Sequence, residues 1–368
     1  MRNYEHGGDI FAGKEKLTDF SVNIDPLGMP ASAAEAAQRA VREEVTYPDP
    51  FCRKLTAALS ERYGVPAENI VCGNGASDLI LRLCAAVRPE TVLVPAPGFS
   101  EYARSAALFG AEIFEYAVPG FDIPDKDGKE KLLPIREAIE QYSPRMVFVC
   151  RPNNPDGSLM GTEELWGIAS LCKERGALLA VDECFLEFTS ATSALAMIGK
   201  FSNMAVINAF TKTYSMAGLR LGFMFSADTA LLDEVYRFGI PWSVSSAAQA
   251  AGAACCAERE FLKDARAYID RERKRLVSAL ESSGLKVFPS EANFLLIQDE
   301  RGFGGASAAR GGSGLVPMLT MREKFERRGI KVRDCRSFTG LDDSFIRIGV
   351  RTVEENDAFI KALEELYG

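Results

Sequence analysis

Histidine is almost missing from this sequence: of 368 residues, only His6 carries an imidazole. That scarcity excludes most zinc schemes and any ordinary Ser-His-Asp relay. Cysteine occurs nine times, at positions 52, 72, 84, 150, 172, 184, 255, 256 and 335, mostly inside apolar runs and with no CxxC pair. An odd number at irregular spacing argues against a disulfide framework and predicts buried free thiols in a reducing compartment. Positive charge is also short, since 43 Lys and Arg against 51 Asp and Glu leave a net charge of -8. A broad nucleic-acid or anionic-membrane footprint is therefore not expected, and any anionic ligand must meet local arginines. No run reaches the roughly 18 apolar residues of a membrane span, and the opening "MRNYEHGGDIFAGKEK" has no apolar core of a secretion signal. The expectation is a cytoplasmic protein whose chemistry uses Lys, Asp, Arg and hydroxyls, or a cofactor.

What is present is an ordinary globular composition, 47% hydrophobic with a mean hydropathy of -0.04, long enough for two domains. Short apolar runs, "NIVCG", "TVLVPA", "AEIFEY", "RMVFVC", "ALLAVDE", "MAVINAF" and "LRLGFMF", alternate with amphipathic stretches such as "FCRKLTAALSERYG" and "TEELWGIASLCKERG". This alternation predicts an α/β fold, a mostly parallel sheet flanked by helices, through about residue 255. Beyond it come a long charged helix, "KVFPSEANFLLIQ", a second helix, "IKVRD", "SFIRIGV" and a terminal helix, which predict a smaller α+β domain over 256–368. The run "ERGFGGASAARGGSG", with six glycines, is expected to form a mobile loop near 301–314.

Three strand ends carry polar groups. Asp182 closes "ALLAVD", where a carboxylate needs a cation or a donor; the alternative is a helix or turn cap. Asn154 lies in the turn "RPNNPDG", and Lys212 follows "MAVINAF" with Arg220 eight residues later. In open parallel sheets the carboxyl ends of strands line the ligand crevice. An amine, a carboxylate, an amide and a guanidinium there suit the aldehyde, ring nitrogen, ring oxygen and phosphate of pyridoxal 5'-phosphate.

With "HGGDI", "DFSVNIDPLGMP", "YPDP", "GNGASD", "PGFSEYARS", "RPNNPDG", "VDECFLEF", "TKTYSMAGLRLGF", "PWSVSSAAQAA" and "FIRIGVR", the sequence resembles the class I/II aminotransferase group of fold-type I pyridoxal-phosphate enzymes over almost its whole length. The resemblance implies that Lys212 links covalently to the cofactor, that Asp182 meets the ring nitrogen and Asn154 the ring oxygen, and that Phe99 stacks on the pyridine. Ala76 and Ser77 would cradle the phosphate with Thr211 and Arg220, and Phe185 would lie beside the ring. Tyr47 would reach the phosphate of a neighbouring subunit, implying a homodimer with shared sites and an N-terminal arm over 1–35, ahead of a large domain over 36–255. His6, Asn23, Arg333, Arg347 and Arg351 would face the substrate, Arg347 its carboxylate and Arg333 a phosphate, with a surface salt bridge as the alternative for Arg333 and Arg351.

Within the group, two branches are similar: the phosphothreonine decarboxylases and the histidinol-phosphate aminotransferases. Phe185, where the aminotransferases usually carry tyrosine, and "HGGDI" point to the first branch. The implied reaction is decarboxylation of O-phospho-L-threonine to 1-amino-2-propanol O-phosphate, with transamination as the alternative. A cofactor-binding regulator without turnover is the remaining reading, and the short segment before residue 30 argues against the DNA-binding domain it would need. The chain departs from both branches at Asp25, Asn208 and Ala209 and in the glycine-rich run.

Overall fold

A computed structural model describes residues 6–10, 17–43, 45–125, 127–301 and 319–368. The predicted apolar runs form one seven-stranded sheet in the order Ile70–Gly73, Gly222–Ser226, Met204–Ala209, Leu178–Asp182, Met146–Cys150, Thr91–Ala96, Glu112–Ala117. All run in one direction except Gly222–Ser226, which is antiparallel to both neighbours. The sheet is covered on both faces, so its strands read as continuous apolar runs. Successive side chains still part to opposite sides: Val147 and Val149 join one buried cluster, Met146 and Phe148 the other.

A four-stranded antiparallel sheet follows in the order Arg333–Asp334, Phe345–Gly349, Phe294–Gln298, Lys286–Val287. The long helix Arg259–Ser282 and the terminal helix Val353–Tyr367 contribute Ile269, Leu276, Phe359 and Leu363 to one core with Phe294 and Ile348. The expected strand "IKVRD" is divided. Ile330–Lys331 pairs in parallel with Thr18–Asp19, while Arg333–Asp334 pairs with Phe345–Gly349. The segment around Thr18–Asp19 thus fastens to the C-terminal part of the chain, and Phe20 is fully buried in its core.

All nine cysteines are free and buried, as expected from their apolar surroundings. The helix predicted from Thr162 runs Thr162–Glu174, with Gly176 just beyond it at φ +67°. Most of the expected glycine-rich loop, 302–314, lies outside the described residues. Among the described residues no helix is long and apolar enough to cross a membrane, and no group of His, Cys, Asp or Glu is placed to hold a metal.

Candidate active site

Strand direction decides what the crevice contains. Asp182 is the last residue of its strand; Asn154 lies four residues past Cys150, Lys212 three past Ala209, and Phe99 three past Ala96. Gly73 is followed by a short turn into the helix Ala76–Val87. The reversed strand begins at Gly222, so Arg220 arrives at the same edge from the opposite direction. These groups line one cavity of about 740 Å³ together with Ala76, Ser77, Thr211, Phe185, Asn23, His6, Arg333 and Arg347.

One end of the cavity is a cradle built by close backbone approach. Gly75, at φ +84°, caps the helix Ala76–Val87, and a Cβ there would stand 2.4 Å from the Arg220 guanidinium. A Cβ on Gly222 would stand 2.6 Å from the Ala76 nitrogen. Only glycine allows the arginine, the helix N-terminus and the start of the reversed strand to meet. Arg220 itself adopts φ +64° and donates to the carbonyls of Asn74 and Ala217, at 3.4 Å each. A guanidinium beside unpaired N–H groups of a helix suits a phosphate.

At the floor, the buried Asp182 accepts hydrogen bonds from the Tyr102 hydroxyl at 2.7 Å and from the Cys184 backbone N–H at 3.0 Å. Behind it the Arg151–Glu183 ion pair, 3.1 Å long with both side chains 1% exposed, ties together the loops that follow two neighbouring strands. Asn154 accepts from Arg347. Lys212 is half-buried, and its amine is pushed down to about 8, by burial first and then by the neighbouring charges of Arg347 and Arg220. Phe185 lies edge-on to Phe294, 5.0 Å between centroids.

Arg347 is buried, donates to the Ser21 carbonyl at 2.9 Å, and has no salt bridge to a carboxylate among the described residues. Burial lowers its guanidinium to about 10, and Arg333 adds to that shift. A buried cation without a counter-ion is costly, and an anionic ligand would relieve the cost. Arg333 is the direct cross-strand partner of Arg347 and lies over the Phe338 ring, donating to Ser337 at 2.7 Å. His6 meets Glu101 at 3.0 Å, and Glu101 also pairs with Arg104 at 2.7 Å.

Two expected residues lie elsewhere. Arg351 lies just past the strand, pairs at 3.2 Å with Glu355 in the first turn of the terminal helix, and is not among the residues that line this cavity. Tyr47 is 76% exposed and stacks on Trp242, away from the cavity of its own chain. Of the departures noted in the sequence, Asn208 turns its side-chain oxygen back to the Ala209 N–H, and Ala209 is packed in the core. The Asp25 backbone instead braces the lysine segment, its N–H donating to the Lys212 carbonyl and its carbonyl accepting from Ser215. Tyr102 was missed by sequence reasoning, although its place three residues after Phe99 at a helix start was a usable signal.

The family model of aminotransferase class I and II matches residues 15–363, and the chain belongs to that family. Its cofactor is pyridoxal 5'-phosphate, and the glycine-built cradle, the amine and the buried carboxylate fit that group. The chain is 30% identical to threonine-phosphate decarboxylase of Salmonella typhimurium, covering 99% of this chain and 97% of that protein. It is 34% identical to histidinol-phosphate aminotransferase of Roseiflexus castenholzii, covering 96% and 90%. The solved histidinol-phosphate aminotransferase of Clostridium acetobutylicum superposes with a TM-score of 0.81 at 26% identity, over 95% of this chain and 98% of that one.

Proposed function

We propose that this enzyme decarboxylates O-phospho-L-threonine to 1-amino-2-propanol O-phosphate. The observation that carries the reading is one cavity holding Arg347, buried with no carboxylate partner among the described residues, Arg333 directly opposite it, and Lys212, whose amine is affected by both Arg347 and Arg220. Two guanidinium groups suit a substrate with two anionic ends. Arg347 binds the carboxylate, and Arg333 binds the phosphate, with His6 at the same mouth. Lys212 holds the cofactor, Asp182 its ring nitrogen, Asn154 its ring oxygen, and Phe99 its face. Ala76, Ser77, Thr211 and Arg220 hold its phosphate.

When bound, pyridoxal phosphate would supply an electron sink for the pair left at Cα when one of its bonds breaks. The arginines choose that bond by fixing the carboxylate. Arg347 would orient the substrate carboxylate as the leaving group, and Lys212 Nζ, its amine pushed down to about 8, would return a proton to Cα once carbon dioxide has left. If the arginines instead kept the carboxylate in place, Lys212 Nζ would take the Cα proton. That second course is the aminotransferase reading, which the similarity to histidinol-phosphate aminotransferases favours. The presence of His6 in the cavity and the absence of a hydroxyl at Phe185 support the first.

The homodimer belongs to the same proposal. Tyr47, Trp242 and Ile240 expose apolar surface outside their own cavity, where a second copy would bury them and receive Tyr47 at its cofactor phosphate. A cytoplasmic location fits nine free thiols. The deciding experiment gives purified enzyme phosphothreonine and measures carbon dioxide and amine product. Turnover of histidinol phosphate with 2-oxoglutarate, without carbon dioxide from phosphothreonine, would replace the decarboxylase reading with the aminotransferase one.

A further inference from the structure

Tyr102 is fully buried and none of the roles above uses its hydroxyl. Its ring lies flat on Phe148, with centroids 4.8 Å apart and planes 13° from parallel, and it meets Phe99 edge-on at 5.5 Å. Its hydroxyl is 2.7 Å from one Asp182 oxygen, while the other oxygen accepts the Cys184 N–H. One side chain therefore touches both the aromatic face and the carboxylate at the cavity floor. Burial, and then the charge of Asp182, push the phenol well above its ordinary range, so it remains a donor at every working pH.

We infer that Tyr102 is a positioning residue that keeps the shared proton on the cofactor's ring nitrogen rather than on Asp182. A hydrogen bond donated to a carboxylate disperses charge on its oxygens, which leaves a proton shared with a neighbouring nitrogen on the nitrogen side. The protonated ring is the better electron acceptor, so a phenol that never touches substrate sets the strength of the electron sink. The contact to Phe99 adds a geometric role, because the stacking face and the ring-nitrogen partner are then held by the same residue. The inference rests on the proposed pairing of Asp182 with the ring nitrogen, and it is independent of whether decarboxylation or transamination follows.

The test loads apoprotein with pyridoxal phosphate labelled with nitrogen-15 and reads the ring-nitrogen resonance without any turnover. Tyr102→Phe keeps the Phe148 stack and removes the donor. The resonance should move toward that of unprotonated pyridine, the cofactor dissociation constant should rise roughly tenfold, and kcat should fall with KM little changed. Phe148→Leu, which disturbs the stack and keeps the hydroxyl, should leave the resonance in place. A fluorinated tyrosine introduced at 102, a stronger donor, should move it the opposite way, and this arm decides the matter if Tyr102→Phe does not fold. An unchanged resonance in the hydroxyl variants overturns the inference. Asp182→Asn separates the two levels: if it too leaves the resonance unchanged, the pairing with Asp182 is wrong, and if it alone shifts it, only the role of Tyr102 fails.

Discussion

Arg333 and Arg347 are direct register partners on adjacent antiparallel strands, so their side chains leave the same face of the small sheet. Like charges placed opposite one another repel, and Arg333 helps to lower the Arg347 guanidinium. Replacing either should therefore separate two anionic subsites. Arg333→Ala should lower kcat/KM for phosphothreonine by roughly 30- to 1000-fold, or about 2 to 4 kcal/mol, and spare threonine. Arg347→Ala should damage both substrates alike. Equal losses on both substrates in the Arg333 variant would show that it does not read the phosphate.

Lys212 should react as an amine near neutrality. In apoprotein, acylation of the lysine followed by peptide mapping should titrate with a midpoint of about 8. Arg347→Met removes a positive neighbour, which favours the ammonium form, so the midpoint should rise. Lys212→Ala should abolish the cofactor link that borohydride fixes in the parent enzyme. A midpoint that stays put in Arg347→Met would mean that Arg347 does not help to set it.

Complementation tests the shared site. Tyr47→Ala and Lys212→Ala chains, each inactive alone, should recover part of the activity when subunits are exchanged, because one hybrid cavity then receives both wild-type residues. No recovery despite demonstrated exchange would remove Tyr47 from the neighbouring site.

Asp25 gives a stability prediction with an unusual sign. Burial raises its carboxyl to about 7, and one of its oxygens has no hydrogen-bond partner. The folded state therefore retains a proton that the unfolded chain releases above about pH 4, and stability declines from there up to about pH 7. Asp25→Asn removes that titration. Relative to the parent, the apoprotein variant should gain about 1 to 3 kcal/mol between pH 5 and pH 8 in denaturant unfolding. A constant difference across that range would contradict the assignment.

The sheet and most of the crevice were legible in the sequence because buried parallel strands announce themselves as apolar runs, and their polar ends stand out against them. Asp182, Asn154 and Lys212 were found in this way. Arg333 and Arg347 required a pairing register that local pattern does not supply, and only the resemblance proposed their roles. Arg351 lies off the cavity lining for a local reason: Thr352 and Glu355 form a capping box that starts the last helix and turns the chain off the strand. Tyr102 escaped because an aromatic on an apolar helix reads as core, which it also is. The link between Thr18–Asp19 and Ile330–Lys331 is two residues long on each side, too short to carry a periodicity.

The reversed strand Gly222–Ser226 has a consequence for the length of the chain. Because it begins at the crevice, the segment from Lys212 to Arg220 leaves the sheet and returns to the same edge. One excursion delivers both the Lys212 amine and the Arg220 guanidinium, and its ends are pinned by backbone contacts, Phe210 N–H to the Leu221 carbonyl at one side and the Gly75–Gly222 approach at the other. Inserting or deleting a single residue there would misplace two functional groups at once. Between the other strands, a change in loop length would disturb one. The most length-intolerant stretch of the enzyme should therefore be this short loop, which a scan of one-residue insertions would reveal as a sharp minimum in cofactor retention.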